Sequence, residues 1–195
     1  MTMESESYRR HNAYHTSIAK ENTGAKTPDP KQKLTLLVEE RVRQEMQHQF
    51  LATNYRILRW EQLDHSNRFI VRFRELDGVF MTDKGVMVLL EVKASASKSG
   101  LKSGLEQLRA AVNTATRVHQ HTVGILVIAD LGEWFEMFGR AATLPLADYF
   151  TDMNLELINW PPTVPCGKTN GICVALIPSQ SLMEWIPMEL DEDLI

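Results

Sequence analysis

The run from Thr122 to Ala129 reads TVGILVIA. It carries no charge and is rich in β-branched side chains, as a strand buried inside a sheet is. Such a strand needs apolar cover, and the flanking sequence supplies it. Ser103-Gly104-Leu105-Glu106 has the capping-box spacing, a Ser with a Glu three residues later. The spacing predicts a helix over 104–118, with Leu105, Leu108, Val112 and Ala115 turned inward. Upstream, Asp29-Pro30 marks a helix start with Pro at the first helical position. That helix is predicted over 30–50, with Leu34, Leu37, Val38 and Val42 on one side. Three strands are predicted between the helices: Tyr55 to Trp60, Phe69 to Met81, and Val86 to Ala94. Thr82-Asp83-Lys84-Gly85 is the turn between the last two. Leu155 to Trp160 and Ile172 to Ile177 are further strand candidates. The order is helix, three strands, helix, strand, which defines an α/β fold with a mixed sheet flanked by helices.

Residues 1–28 are polar and aperiodic and read as a flexible N-terminal arm. Residues 29–187 then form one domain, and 188–195 an acidic C-terminal tail. Of the 195 residues, 44% are hydrophobic, enough for a sizeable core. No apolar run approaches the ~18 residues a membrane span needs. The polar N-terminus has no apolar segment of the secretory kind. An intracellular location, cytoplasmic or with the nucleoid or nucleus, is the expectation. In a reducing compartment the only two cysteines, Cys166 and Cys173, are expected as free thiols. Asn170-Gly171 reads as a hairpin turn that brings them near each other. The net charge is -4, so the chain is not globally basic. The charge is unevenly spread, however. The first 33 residues hold six Lys/Arg against four acids, and the last twelve hold five acids and no base. A locally basic surface is compatible with that distribution.

The chemistry concentrates in one hairpin. Its sequence is FRELDGVF, then MTDKG, then VMVLLEVKAS. With Asp83-Lys84-Gly85 as a three-residue loop and Gly85 at the left-handed position, Thr82 faces Val86. Asp77 then falls opposite Glu91, and Glu75 opposite Lys93, all four on one face. Two carboxylates directly opposed repel. A hard cation between them removes the conflict, and Mg²⁺ is commonly held by one or two carboxylates plus water and phosphate. The competing reading is a surface hairpin with a Glu75–Lys93 ion pair, worth under about 1 kcal/mol. That reading leaves the Asp77–Glu91 opposition unexplained.

Asp77, followed after a hairpin by Glu91-Val92-Lys93, resembles the PD-(D/E)xK nuclease superfamily. The likeness spans roughly residues 34–129 and includes the order of helices and strands. Leu76 stands where the motif's proline would be. The resemblance implies a restriction-endonuclease-like αβββαβ core and a metal-dependent nuclease, a DNA endonuclease, that hydrolyses phosphodiester bonds. It implies Mg²⁺ or Mn²⁺ on Asp77, Glu91 and the backbone carbonyl of Val92. Such a metal polarises the scissile phosphate and activates water. Lys93 would orient the water and offset developing negative charge.

Members of this superfamily often supply a further acid from the first helix. Glu39, Glu40 and Glu45 compete for that place. Glu40 points away from the apolar side, Glu45 lies within the apolar sector, and Glu39 lies at its border. Glu39 is therefore assigned as the additional catalytic and metal-binding acid, beside the reading of a solvated helix charge. Gln107, in the second helix, resembles a further catalytic motif position and equally fits a polar boundary residue. Lys98, Lys102 and Arg109 follow Lys93 and are candidates for phosphate contacts. A solvated charge run fits them as well.

Two other functional classes fit the same residues. One is a catalytically inactive nuclease-fold module that binds nucleic acid or a protein partner. The other is an unrelated α/β protein with a structural Ca²⁺ or Mg²⁺ site. The small size and lack of a separate DNA-reading domain suggest a homodimer or a subunit of a larger complex.

Overall fold

Helix α1 spans Pro30–Gln49 and β2 Leu51–Ala52. Next come β3 (Ile57–Leu63), β4 (Phe69–Glu75), β5 (Gly78–Met81) and β6 (Met87–Ser95). Helix α2 (Lys98–Ala115) leads into β7 (Thr122–Asp130), β8 (Glu156–Ile158), β9 (Ile172–Ile177) and α3 (Ser179–Trp185). A short strand, β1 (His11–His15), precedes them all. This computed structural model describes residues 11–15, 30–53, 56–95, 98–130, 155–163, 171–177 and 179–185. The acidic tail, Asn170 and Cys166 lie outside the described residues.

The main sheet has six strands in the order β2-β5-β6-β7-β9-β8. Its β2-β5-β6 edge is antiparallel, and β6, β7, β9 and β8 run parallel. The fold is thus mixed α/β, as predicted. Strand alternation divides the core between two faces. Val88, Leu90 and Val92 of β6 pack with Leu34, Val38, Val42 and Met46 of α1. Met87 and Leu89 pack on the other side with Leu101, Leu105, Leu108 and Val112 of α2. Strand β7 is buried along Thr122–Ala129 and contributes to both faces, which is why its sequence is apolar throughout. Among the described residues, no helix is long and apolar enough to cross a membrane.

Several expectations are corrected. The predicted strand Phe69 to Met81 is two strands, interrupted at Leu76-Asp77. Strand β4 leaves the main sheet and joins a three-stranded sheet in the order β1-β3-β4. Glu75 consequently pairs with Ile57, not with Lys93. The predicted first strand shifts to Ile57–Leu63 and lies in this smaller sheet. Helix α2 begins at Lys98, so Ser103 and Glu106 are exposed mid-helix residues and form no N-terminal box. Within the stretch read as a flexible arm, His11–His15 pairs antiparallel with β3. Cys173 is disulfide-bonded, which overturns the expectation of free thiols.

Candidate active site

The β5–β6 hairpin has the register expected from its loop. Gly78 faces Leu90, Val79 faces Leu89, and Phe80 faces Val88. Thr82 N–H donates to Val86 O (2.9 Å) and Gly85 N–H to Thr82 O (3.0 Å). Gly85 sits at φ 74°, where a residue without Cβ is favoured. Extended one step past Gly78, this register sets Asp77 against Glu91. Asp77 N–H still donates to Leu90 O (3.2 Å), but the ladder then stops because the chain turns towards β4. The next N–H on β6 is Val92's, and the Asp77 side chain takes it: Val92 N–H donates to Asp77 Oδ2 at 2.6 Å. The strand interruption that the sequence reading missed is what turns this carboxylate onto the edge of β6 that β5 leaves unpaired.

Glu91 is only 7% exposed, the one buried charged residue among those described. Lys93 lies one pleat along the same face, and its Nζ donates to Glu91 Oε1 at 2.6 Å. Gly104 of α2 packs directly on the lysine stem. A Cβ at Gly104 would stand 2.8 Å from Lys93 Cγ and 3.0 Å from Lys93 Cε. Any side chain there would displace Lys93, so a mid-helix glycine, otherwise unfavourable, sets the lysine's position.

Helix α1 closes the site from the other side of the sheet edge. Glu39, Glu40, Arg43 and Leu36 line a cleft of about 570 Å³ together with Arg56, Glu75, Asp77 and Glu91. Glu39 and Glu40 both line the cleft, and of the two Glu39 is the half-buried one. Burial, followed by the nearby Asp77 charge, pushes its carboxyl up to about 7. Lys93 and Arg43 oppose that rise and Glu91 adds to it, so Glu39 feels the whole site. Glu40 is exposed and pairs with Arg43 and Gln44. Glu45 does not line the cleft. The Asp77 carboxyl is raised by burial, against the Val92 N–H and the charges of Lys93, Arg43 and Arg56. Glu91 is raised by burial and then by Asp77, against its bond to Lys93. Burial is the main cause in all three, and the Asp77 charge adds to it at Glu39 and Glu91.

Other candidates fall elsewhere. Gln107 is exposed and outside the cleft, and its backbone carbonyl accepts from Arg74 Nη1. Lys98 begins α2, while Lys102 and Arg109 are exposed on that helix. Neither Lys102 nor Arg109 lines the cleft. Two residues that sequence reasoning passed over do line it. Arg43 Nε donates to the carbonyl of Asp77 (2.9 Å), and Arg56 Nη2 lies 3.3 Å from Glu75 Oε1. No local pattern marks either arginine, because each meets the site through contacts more than fifteen residues away in sequence.

The donors available to a cation are oxygens only: the carboxylates of Asp77 and Glu91, with Glu39 beside them. That chemistry suits a hard divalent ion, which completes its shell with water and phosphate. Among the described residues no group of three or more His, Cys, Asp or Glu is arranged to hold a metal ion. Comparison with known protein families, curated proteins and solved structures found no match to this chain.

Glu39 makes one property measurable without any substrate. Its carboxyl titrates near 7 in the folded chain, against an ordinary 4.5. The folded state therefore binds this proton more tightly than the unfolded state. The resulting stability is complete below about pH 4.5 and is lost as pH rises through 7. In chelator, Glu39→Gln should remove that loss. After discounting for partial exposure, the effect is about 1 kcal/mol, or roughly 2–4 °C in Tm between pH 5 and pH 8. Parallel Tm-against-pH curves for wild type and variant would refute the placement of Glu39.

Proposed function

We propose that this chain is a divalent-metal-dependent nuclease of the PD-(D/E)xK type that hydrolyses DNA phosphodiester bonds. The observation that carries the reading is the convergence of Glu39 from α1, Asp77 from the β4–β5 connection and Glu91 from β6 on one cleft, with Lys93 Nζ 2.6 Å from Glu91. A structural hairpin has no use for opposed, buried acids of raised pKa, whereas a phosphoryl-transfer site does. In this reading β5, β6, α2 and β7 form the restriction-endonuclease-like core, with α1 carrying the additional acid.

Asp77, Glu91 and the Val92 carbonyl would hold Mg²⁺ or Mn²⁺. When bound, the ion supplies Lewis acidity at the phosphate and makes water more acidic. The Val92 N–H fixes one oxygen of Asp77 and leaves the other for the site. Lys93 is held by Gly104 on its stem and by Glu91 at its tip. From there it orients the attacking water and offsets charge growing on the phosphoryl oxygens. Glu39, raised to about 7, accepts a proton near neutral pH where an ordinary glutamate would not.

The test is direct. Purified full-length chain is incubated with supercoiled plasmid, linear duplex, single-stranded and branched DNA, and RNA. Each is run with Mg²⁺, Mn²⁺ or chelator. Cleavage of at least one DNA form, dependent on the metal, is the expected result. Retention of nucleic acid without cleavage of any form would replace the enzyme by a binding module.

A further inference from the structure

The cleft has a charge problem that its interior does not solve. Its lining carries five acids, Glu39, Glu40, Glu75, Asp77 and Glu91, against two bases, Arg43 and Arg56. A polyanionic strand approaching five carboxylates meets repulsion. The acids divide into two sets by environment. Glu39, Asp77 and Glu91 lie inside, with raised pKa values. Glu40 and Glu75 lie at the mouth, their side chains 55% and 45% exposed, and each is engaged by one of the two arginines.

Both arginines are tied to the segment that carries Asp77. Arg43 Nε donates to the Asp77 carbonyl, and the Arg56 carbonyl accepts from Leu76 N–H at 2.8 Å. Their positions relative to the site are therefore set by the same backbone that sets the acid. Guanidinium groups match phosphate oxygens through paired N–H donors, as they match carboxylates. Exposed arginine–carboxylate pairs contribute little and exchange readily. We propose that Arg43 and Arg56 form a phosphate-binding rim for a nucleic-acid backbone, and that Glu40 and Glu75 are placeholders which the incoming phosphates displace. The inference rests on the nuclease reading and adds to it the groups that grip the strand beside the cleft.

The rim makes an unusual demand: removing an acid at the mouth should tighten binding only while its arginine is present. Binding of a fluorescent DNA duplex, and of RNA of the same sequence, is measured by anisotropy across a salt series. Ca²⁺ or chelator replaces Mg²⁺. Glu75→Gln should lower Kd about threefold. Arg56→Gln should raise it roughly five- to tenfold and make the dependence of log Kd on log salt shallower by about 0.9. In the double variant the gain from Glu75→Gln should vanish. Glu40→Gln reports on Arg43, whose own replacement would also disturb Asp77, and should likewise tighten binding about threefold. Equal effects on DNA and RNA identify the shared phosphodiester as the ligand, whereas an effect on one alone, or an additive double variant, overturns the rim. A wild type that binds as described but cuts nothing leaves the rim standing and removes the nuclease reading. A wild type that cuts, with Arg56→Gln unchanged in Kd and salt slope, does the reverse.

Discussion

Asp77→Asn should abolish metal-dependent cleavage, weaken binding of the divalent ion, and raise the Tm of the metal-free protein. The three effects share one cause. Asn keeps the shape and can still accept from Val92 N–H, so the edge of β6 remains capped. What disappears is one negative charge in a cleft where Glu39 and Glu91 are both raised by it. Relief of that repulsion stabilises the apo-protein by about 1 kcal/mol, or roughly 2–4 °C for a chain of this size. The same lost charge removes one of the two carboxylates proposed to hold the ion. Loss of several kcal/mol of transition-state stabilisation corresponds to a rate fall of about 10³-fold or more. Calorimetric Mg²⁺ titration, thermal melts in chelator, and plasmid cleavage measure the three. A variant less stable than wild type without metal would mean that Asp77 serves the fold and not the site.

How much of this was legible in the sequence depends on whether the deciding forces are local. Pro30 and the apolar spacing after it place α1, because helix starts and amphipathic faces are written in neighbouring residues. The Asp83-Lys84-Gly85 loop sets the hairpin register, and with it the facing of Asp77 and Glu91, because Gly85 occupies the conformation the loop requires. The interruption at Leu76-Asp77 was not legible. FIVRFRE and GVFM join as one β-rich run. Only the pairing of β4 with β3, and the burial of Leu76 at the corner between the sheets, separate them. The same limit hid Arg43 and Arg56, whose partners are distant in sequence. Ser103 and Glu106 show the opposite error: the local pattern was present, but α2 already extends through it from Lys98. Gly104 carried a readable sign. A glycine inside an amphipathic helix has a helix-propensity cost, and close approach to Lys93 accounts for it.

Lys93→Ala separates an enzyme from a binding module. In the folded chain Lys93 Nζ bonds Glu91 Oε1 at 2.6 Å, and Glu91 is buried. Removing the ammonium leaves that acid without this partner, so its carboxyl rises further and the metal-free protein loses about 1–2 kcal/mol, discounted for the part-exposed lysine. A divalent ion supplies the missing positive charge. Measured at a pH high enough to ionise Glu91, Mg²⁺ affinity should hold or rise slightly, and saturating Mg²⁺ should restore most of the lost Tm. Catalysis should not recover in the same way. In the proposed nuclease, Lys93 would stand where negative charge grows during phosphoryl transfer, and loss of one such group costs about 10²–10³-fold in rate. The decisive pattern is therefore a split: metal binding kept, stability rescued by metal, cleavage lost. Lys93→Arg sharpens it, because the charge is retained while Gly104, packed on the lysine stem, leaves little room for a differently shaped side chain. If Lys93→Ala cuts as fast as wild type, Lys93 is only the counter-ion of Glu91 and the catalytic role assigned to it is wrong.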